Sequence, residues 1–89
     1  MKTAPRIGLF GGSFDPIHLG HLILAERAAQ QLRLDRLYFI PAAQSPLKNR
    51  GPKASGPDRL ALVRAAIRGN PRFRALDLEL RRPAPSYTI

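Results

Sequence analysis

Residues 11 to 21 read Gly-Gly-Ser-Phe-Asp-Pro-Ile-His-Leu-Gly-His, and the types and spacing in this stretch suit phosphate chemistry. A glycine pair directly after an apolar run lets backbone N–H groups approach a phosphate with no Cβ in the way. A helix starting just beyond would aim its partial positive end at the same place. His18 and His21 stand at i and i+3, so their imidazoles share one face near the helix mouth, and Gly20 between them leaves room. One histidine at such a point is ordinarily structural. Two, with a glycine between them and a Gly-Gly pair before them, can donate to a polyphosphate and stabilise charge as it moves onto a leaving pyrophosphate.

Other phosphate and metal chemistries fit poorly. The dinucleotide fingerprint needs a third glycine three residues after the second, and Ser13-Phe14-Asp15 lacks it; there is also no Gly-Lys-Ser/Thr. Zinc held by His18 and His21 would need a third ligand, for which only scattered carboxylates remain. No Gly-x-Ser-x-Gly is present for a serine hydrolase. Asp15 is read as a brace of the turn and not as a base.

The elements that must position these residues follow from periodicity. Ile7 to Phe10 reads as a strand buried on both faces, as in a parallel sheet, ending at the Gly-rich turn. Leu22, Ala25, Ala29 and Leu32 recur at helical spacing. Leu37 to Ile40 is a second strand stopped by Pro41, so a right-handed β-α-β unit is expected. Residues 41 to 57 form a long loop rich in Pro and Gly, of a length that is usually functional. Leu60, Val63 and Ile67 mark a second helix, capped by Asp58 and ended by Gly69-Asn70-Pro71. Leu76, Leu78 and Leu80 alternate with Asp77 and Glu79, the pattern of a third strand with one wet face. Arg82 to Pro85 reads as a turn and Ser86 as the N-cap of a third helix. The expected fold is α/β, a Rossmann-like three-layer sandwich with a parallel sheet, of which this is the first β-α-β-α-β half with strand order 3-2-1. Strand 1 would then present an unpaired apolar edge, which points to a longer protein.

With 89 residues the chain is one small domain, burying about 60 to 65 per cent of its unfolded surface. It has no cysteine for a disulfide or a thiolate metal site, and no apolar run long enough to span a bilayer. A cytoplasmic, unprocessed protein is expected. The net charge is +9, and it is uneven: residues 44 to 89 hold 10 basic and 3 acidic groups, net +7, against net +2 for residues 1 to 43. That field favours polyanions. A nucleic-acid binder is one reading of it, but only Phe73 and Tyr87 interleave aromatics with the charge, so stacking support is thin.

The stretch from Gly11 to His21 resembles the signature of the nucleotidyltransferase superfamily, with His18-Leu19-Gly20-His21 matching its His-x-Gly-His motif. Within it the chain is most similar to the bacterial nicotinate-mononucleotide adenylyltransferases. Ile40-Pro41 opening a loop with Ser45-Pro46-Leu47-Lys48, Asp58-Arg59 entering helix 2, and Leu76 to Glu79 followed by Pro85-Ser86-Tyr87-Thr88 carry the narrower match. Leu47 stands where that family often has His. The family is roughly twice as long, and its second signature, a Ser/Thr-rich turn with a basic residue, is missing, so residues 1 to 89 are expected to be the N-terminal part of a single nucleotidyltransferase domain. The resemblance implies that Gly11, Gly12, Ser13 and Phe14 line an ATP site through backbone and side chain, and that His18 and His21 hold the ATP phosphates. It implies that Lys48 completes the phosphate cradle, that Tyr87 and Thr88 touch the nicotinate end of a second substrate, and that Mg²⁺ accompanies ATP. The reaction would be adenylyl transfer from ATP to nicotinate mononucleotide, with no membrane partner. A mononucleotide phosphate with a second pKa of about 6 is ionised enough to attack unaided, so no general base is required. Phosphopantetheine adenylyltransferase is the rival within the superfamily, and a nucleotide-binding module without chemistry is the rival outside it.

Overall fold

The computed structural model of the chain describes residues 4–43 and 54–81. Five elements follow in order: strand β1 (Ile7–Gly12), helix α1 (Leu19–Gln31), strand β2 (Arg36–Pro41), helix α2 (Gly56–Ile67) and strand β3 (Phe73–Ala75). All pairings are parallel and the sheet order is β1-β2-β3, the expected 3-2-1 arrangement with β2 in the centre. Among the described residues no helix is long and apolar enough to cross a membrane.

Register decides which side chains face the helices. Gly8, Phe10 and Gly12 align with Leu37, Phe39 and Pro41, and on the other flank Leu37 and Phe39 align with Phe73 and Ala75. Paired residues of a parallel ladder point to the same face. That face carries the core: Leu37, Phe39 and Phe73 pack with Ala25 and Ala29 of α1 and with Val63 and Ile67 of α2. Both crossovers therefore cover one face, as right-handed connections in this strand order require. The described residues supply two of the three layers of the sandwich.

The opposite face carries Ile7 and Leu9, and there the structure departs from a strand buried on both faces. Leu9 is 68 % exposed and Ile7 50 %. The run Ile-Gly-Leu-Phe is apolar on both sides, but only its Gly8–Phe10 side meets a helix layer. In the described residues β1 is also an edge of the sheet, as the strand order implied.

Three boundaries differ from the sequence pattern. The glycine pair is not a turn but the end of β1, because Gly11 and Gly12 stay in register with Ile40 and Pro41, and the Gly12 carbonyl accepts from the Ala42 N–H at 2.8 Å. The chain turns later, at Asp15-Pro16, whose peptide bond is cis. Helix α2 is capped by Ser55 rather than Asp58; the Ser55 hydroxyl accepts from the Asp58 N–H at 3.2 Å, and Asp58 instead places its charge in the positive first turn. Its end at Gly69 is as expected, with φ +92, a conformation that glycine adopts without strain.

The third strand lies at Phe73–Ala75, before the alternating leucines. The ladder ends where the Leu76 N–H donates to the Phe39 carbonyl at 2.9 Å, and the chain then curls so that the Arg81 N–H reaches the Asp77 carbonyl at 3.0 Å. Leu80 turns onto Gly56, where an added Cβ would lie 2.9 Å from its Cδ2. The alternation of Leu76, Leu78 and Leu80 thus serves a turn. The expected turn at 82 to 85 and the helix at Ser86 lie outside the described residues.

Phe39 is 0 % exposed and central, whereas Leu9 lies on the open face. Phe39→Ala is expected to cost about 3–5 kcal/mol. Leu9→Lys is expected to leave the melting temperature within a few degrees while reducing self-association. Thermal unfolding and sedimentation velocity on the two variants check both outcomes.

Candidate functional site

The carboxyl ends of β1 and β2 and the amino end of α1 meet at one pole of the sheet, and the residues singled out above converge there. His18 is the residue that caps α1, with extended backbone angles. Its Nδ1 accepts from the Gly20 N–H at 3.1 Å, and the Nδ1 of His21 accepts from the His18 N–H at 3.0 Å. The two imidazoles perform the reciprocal exchange that Ser/Thr and Glu perform in an ordinary capping box. Their ring centroids are 3.9 Å apart and the planes are tilted by 32°. The expected shared face is therefore present, held by backbone hydrogen bonds and by stacking.

This arrangement assigns the tautomer of both rings. An Nδ1 that accepts from a backbone N–H carries a lone pair, so in the neutral imidazole the proton sits on Nε2. Each histidine is left with one Nε2–H donor that the cap does not use. No acidic residue occupies the first turn of α1, so nothing on the helix offsets its positive end against an arriving anion.

The glycines have distinct reasons. At Gly20 a Cβ would stand 2.9 Å from Cε1 and 3.0 Å from Nδ1 of His18, so the cap fits only because that atom is missing. Gly11 is different: a Cβ there would meet nothing nearer than the Ile40 carbonyl oxygen at 4.0 Å, and its φ is not positive. Neither the local packing nor the backbone demands glycine at 11. The Gly11 backbone is exposed and free of a Cβ, so it is open to close approach.

Phe14 does not line the site with its ring. It is 1 % exposed and packs edge-on to Phe10 at 5.2 Å and to His21 at 5.0 Å, because an aromatic ring so close to the Phe10–Phe39 cluster gains most by joining it. Its φ of +48 is a strained value for a non-glycine residue, and the buried ring holds the backbone there. The ring is a floor under His21. Gly11 and Ser13 lie exposed at the same pole. Lys48, Tyr87 and Thr88 lie outside the described residues.

Arg59 is a residue whose place the sequence pattern did not reveal. It sits on the buried flank of α2, in line with Val63, and is 2 % exposed. Its Nη1 donates to the Ser13 carbonyl at 2.7 Å and to the Ala42 carbonyl at 2.8 Å, and its Nε donates to the Ala54 carbonyl at 3.2 Å. The guanidinium thereby joins the loop after β1, the end of β2 and the segment leading into α2. Asp15 adds a further tie, accepting from the Ala54 N–H at 3.3 Å, which is the bracing role expected of it. A one-residue offset from Leu60 on a helix that already buries Leu60, Val63 and Ile67 was the available signal.

Among the described residues no group of three His, Cys, Asp or Glu side chains is placed to hold a metal ion. Two nitrogen donors locked in a helix cap do not make the hard oxygen set that Mg²⁺ prefers.

Burial, and then the neighbouring His18, push the His21 imidazole below its ordinary value. A base whose folded pKa is depressed is neutral in both states above about pH 6.5, so its contribution to stability is complete there. Below that pH the unfolded chain takes up the proton first, and the contribution is lost as the pH falls through the folded pKa. Protonation also removes the lone pair that closes the cap. The melting temperature is therefore expected to fall between pH 7.5 and pH 5, and His21→Asn, whose amide oxygen can replace the Nδ1 acceptor without titrating, is expected to flatten that slope. Thermal unfolding against pH checks it.

The sequence profile of the family described as cytidylyltransferase-like matches residues 9–86. The chain is 55 % identical over 84 residues to the "Probable nicotinate-nucleotide adenylyltransferase" of Opitutus terrae, covering 94 % of this chain and 43 % of that protein. Proteins of the same name from Synechococcus sp. and Shouchella clausii are 52 % and 50 % identical, with 94 % of this chain covered and 41 % and 44 % of theirs. The chain spans about two fifths of the length of these curated relatives. A helix capped by two histidines at the carboxyl end of a parallel strand, joined to a match over nearly the whole sequence, leads to one conclusion: this chain belongs to the cytidylyltransferase-like family of nucleotidyltransferases.

Proposed function

We propose that the chain is the nucleotide-binding part of an enzyme that transfers the adenylyl group of ATP to nicotinate mononucleotide, releasing pyrophosphate. The single observation that carries this reading is the stacked His18–His21 pair, each ring committed through Nδ1 to the cap of α1 and left with one Nε2–H donor. Donors fixed before the substrate arrives need no reorganisation when charge develops on the phosphates, and that is the condition under which electrostatic stabilisation is most effective. The exposed backbone at Gly11 and the positive end of α1 add to the same field. Nothing in the described site is arranged as a general base, which suits a nucleophile that arrives already ionised. What is left for the protein is orientation and charge stabilisation.

Lys48, Tyr87 and Thr88 are part of this proposal on the match of their motifs, as phosphate and nicotinate contacts. Mg²⁺ is proposed as the partner of the ATP phosphates, where it would neutralise part of their charge. A cytoplasmic location goes with these substrates. Nicotinate in preference to phosphopantetheine is supported by the names of the relatives and by Pro85-Ser86-Tyr87-Thr88.

Calorimetric titration of the chain with MgATP is expected to show binding, with His18→Ala and His21→Ala each weakening it at least tenfold. In the full-length protein the same variants are expected to lower kcat by about 10²–10³, the effect of removing one preorganised donor. An assay of pyrophosphate release with nicotinate mononucleotide and with phosphopantetheine decides between the two acceptors, and release with phosphopantetheine alone would sink the nicotinate reading. MgATP binding without pyrophosphate release in the full-length protein would make it a binding module. Gly20→Ala separates site from fold: helix propensity gains up to about 1 kcal/mol while the cap loses about as much. Its melting temperature should stay close to that of the parent while MgATP affinity drops.

A further inference from the structure

Beyond the carboxyl ends of β1 and β2 the chain leaves the ladder, and the carbonyl oxygens there must find partners other than a neighbouring strand. Oxygens left free beside a bound triphosphate would repel it. Two of them here, on Ser13 after β1 and on Ala42 after β2, are taken by one nitrogen of Arg59, at 2.7 and 2.8 Å. A third, on Ala54, is taken by Nε at 3.2 Å. We propose that Arg59 is a positioning residue of the nucleotide site: it draws these carbonyls inward, fixes the Ser13–Phe14 loop under His21, and leaves its own charge at the phosphate pole. The inference rests on the nucleotide reading given above.

Three observations support it. First, Arg59 is 2 % exposed, yet among the described residues its hydrogen-bond partners are neutral carbonyls and not carboxylates. Among those residues the charge is solvated by carbonyl dipoles and not paired with an acid. Second, burying a charge is costly, and an apolar side chain of similar volume commonly serves packing as well or better. Packing alone therefore gives no reason for a guanidinium at this place, whereas three carbonyls in need of donors do. Third, the bonds run across the chain to residues 46, 17 and 5 positions away. A planar fork can reach all three carbonyls at once, whereas an ammonium is a point donor on a flexible stem. Phe14, held at a strained φ of +48 next to the Ser13 carbonyl that Arg59 binds, is where such a constraint is needed most.

The test uses Arg59→Met, which removes the charge and the bonds, and Arg59→Lys, which keeps the charge and loses the fork. Binding of MgATP and of AMP is measured by calorimetry, and amide hydrogen exchange is followed on the free chain. Arg59→Met is expected to weaken MgATP at least tenfold, and AMP by a smaller factor, at a temperature where the far-ultraviolet circular dichroism is that of the parent. Arg59→Lys is expected to fall between the two. In the free variants the Ala42 amide, which donates to the Gly12 carbonyl, should exchange at least tenfold faster while amides around Ala29 and Val63 keep their protection. A folded Arg59→Met protein that binds MgATP within twofold of the parent would overturn the proposal. Equal loss for AMP and MgATP, or the unfolding of both variants, would also overturn it, since either marks a residue that serves only the fold. If the parent itself fails to bind MgATP, the nucleotide reading falls; unchanged exchange at Ala42 would then reject the positioning role by itself.

Discussion

The structure is organised around Phe39. Its ring lies at the centre of the sheet, 5.5 Å from Phe10, 5.7 Å from Phe14 and 5.2 Å from Phe73, so one buried side chain touches all three strands and the loop that follows the first. The chain has no cysteine, so this packing and the strand ladders hold the three strands together. Aromatic rings supply large buried area at low entropic cost, and tilted or edge-on pairs add to it. Because Phe14 belongs to this cluster, the core extends directly to the base of His21. Packing and site are one continuous set of contacts.

That continuity explains how a small domain can hold two histidines in a defined orientation at its surface. His21 rests on Phe14 and Phe10, and its Nδ1 is spent on the His18 N–H. His18 is exposed, but its ring is stacked on His21 and its Nδ1 is spent on Gly20. Neither side chain retains the rotational freedom that an exposed imidazole normally has. The entropy of ordering them is met when the chain folds and not when a ligand binds, which is the meaning of preorganisation at a charged site.

A second frame holds the loops. Parallel strands deliver their chain exits to one pole, which is why this architecture repeatedly places ligand sites there. The same geometry crowds carbonyl oxygens together, and an unbonded buried carbonyl is expensive. Arg59 resolves that crowding with a single side chain, and Asp15 ties Ala54 from the other side. The core thus positions the histidines and the guanidinium positions the backbone around them. These two devices meet at Ser13 and Phe14, the residues between the end of β1 and the cis peptide bond.

Much of this was legible in the residues themselves. Helical spacing of Ala25 and Ala29, and of Leu60, Val63 and Ile67, marks buried faces, because a helix of 3.6 residues per turn imposes its period on any core it meets; Leu32 of the first pattern caps the end of α1 and is 54 % exposed. The interval between His18 and His21 placed them together for the same reason, and the parallel order followed from alternating strands and helices. Other features exist only in three dimensions. That Gly11 and Gly12 extend a strand depends on where Pro41 and Ala42 lie beside them, and that Leu76 to Leu80 form no strand depends on the chain leaving β2 at Phe39, before β2 itself ends, and curling back over residues 77–81. Phe14 reads as a member of a binding motif, yet its ring answers to Phe39, which is 25 residues distant in sequence. Arg59 reads as half of the Asp58-Arg59 pair entering helix 2, with nothing to mark it as buried. Only the fold brings three carbonyls to it, because a guanidinium inside a helix period carries no mark of what the neighbouring loops will present. The sequence by itself determined which residues could do the chemistry and the order of the elements, and the tautomers follow from a cap closed between residues two and three apart; tertiary structure decided the strand ends and the buried charge, since both are settled by contacts between residues far apart along the chain.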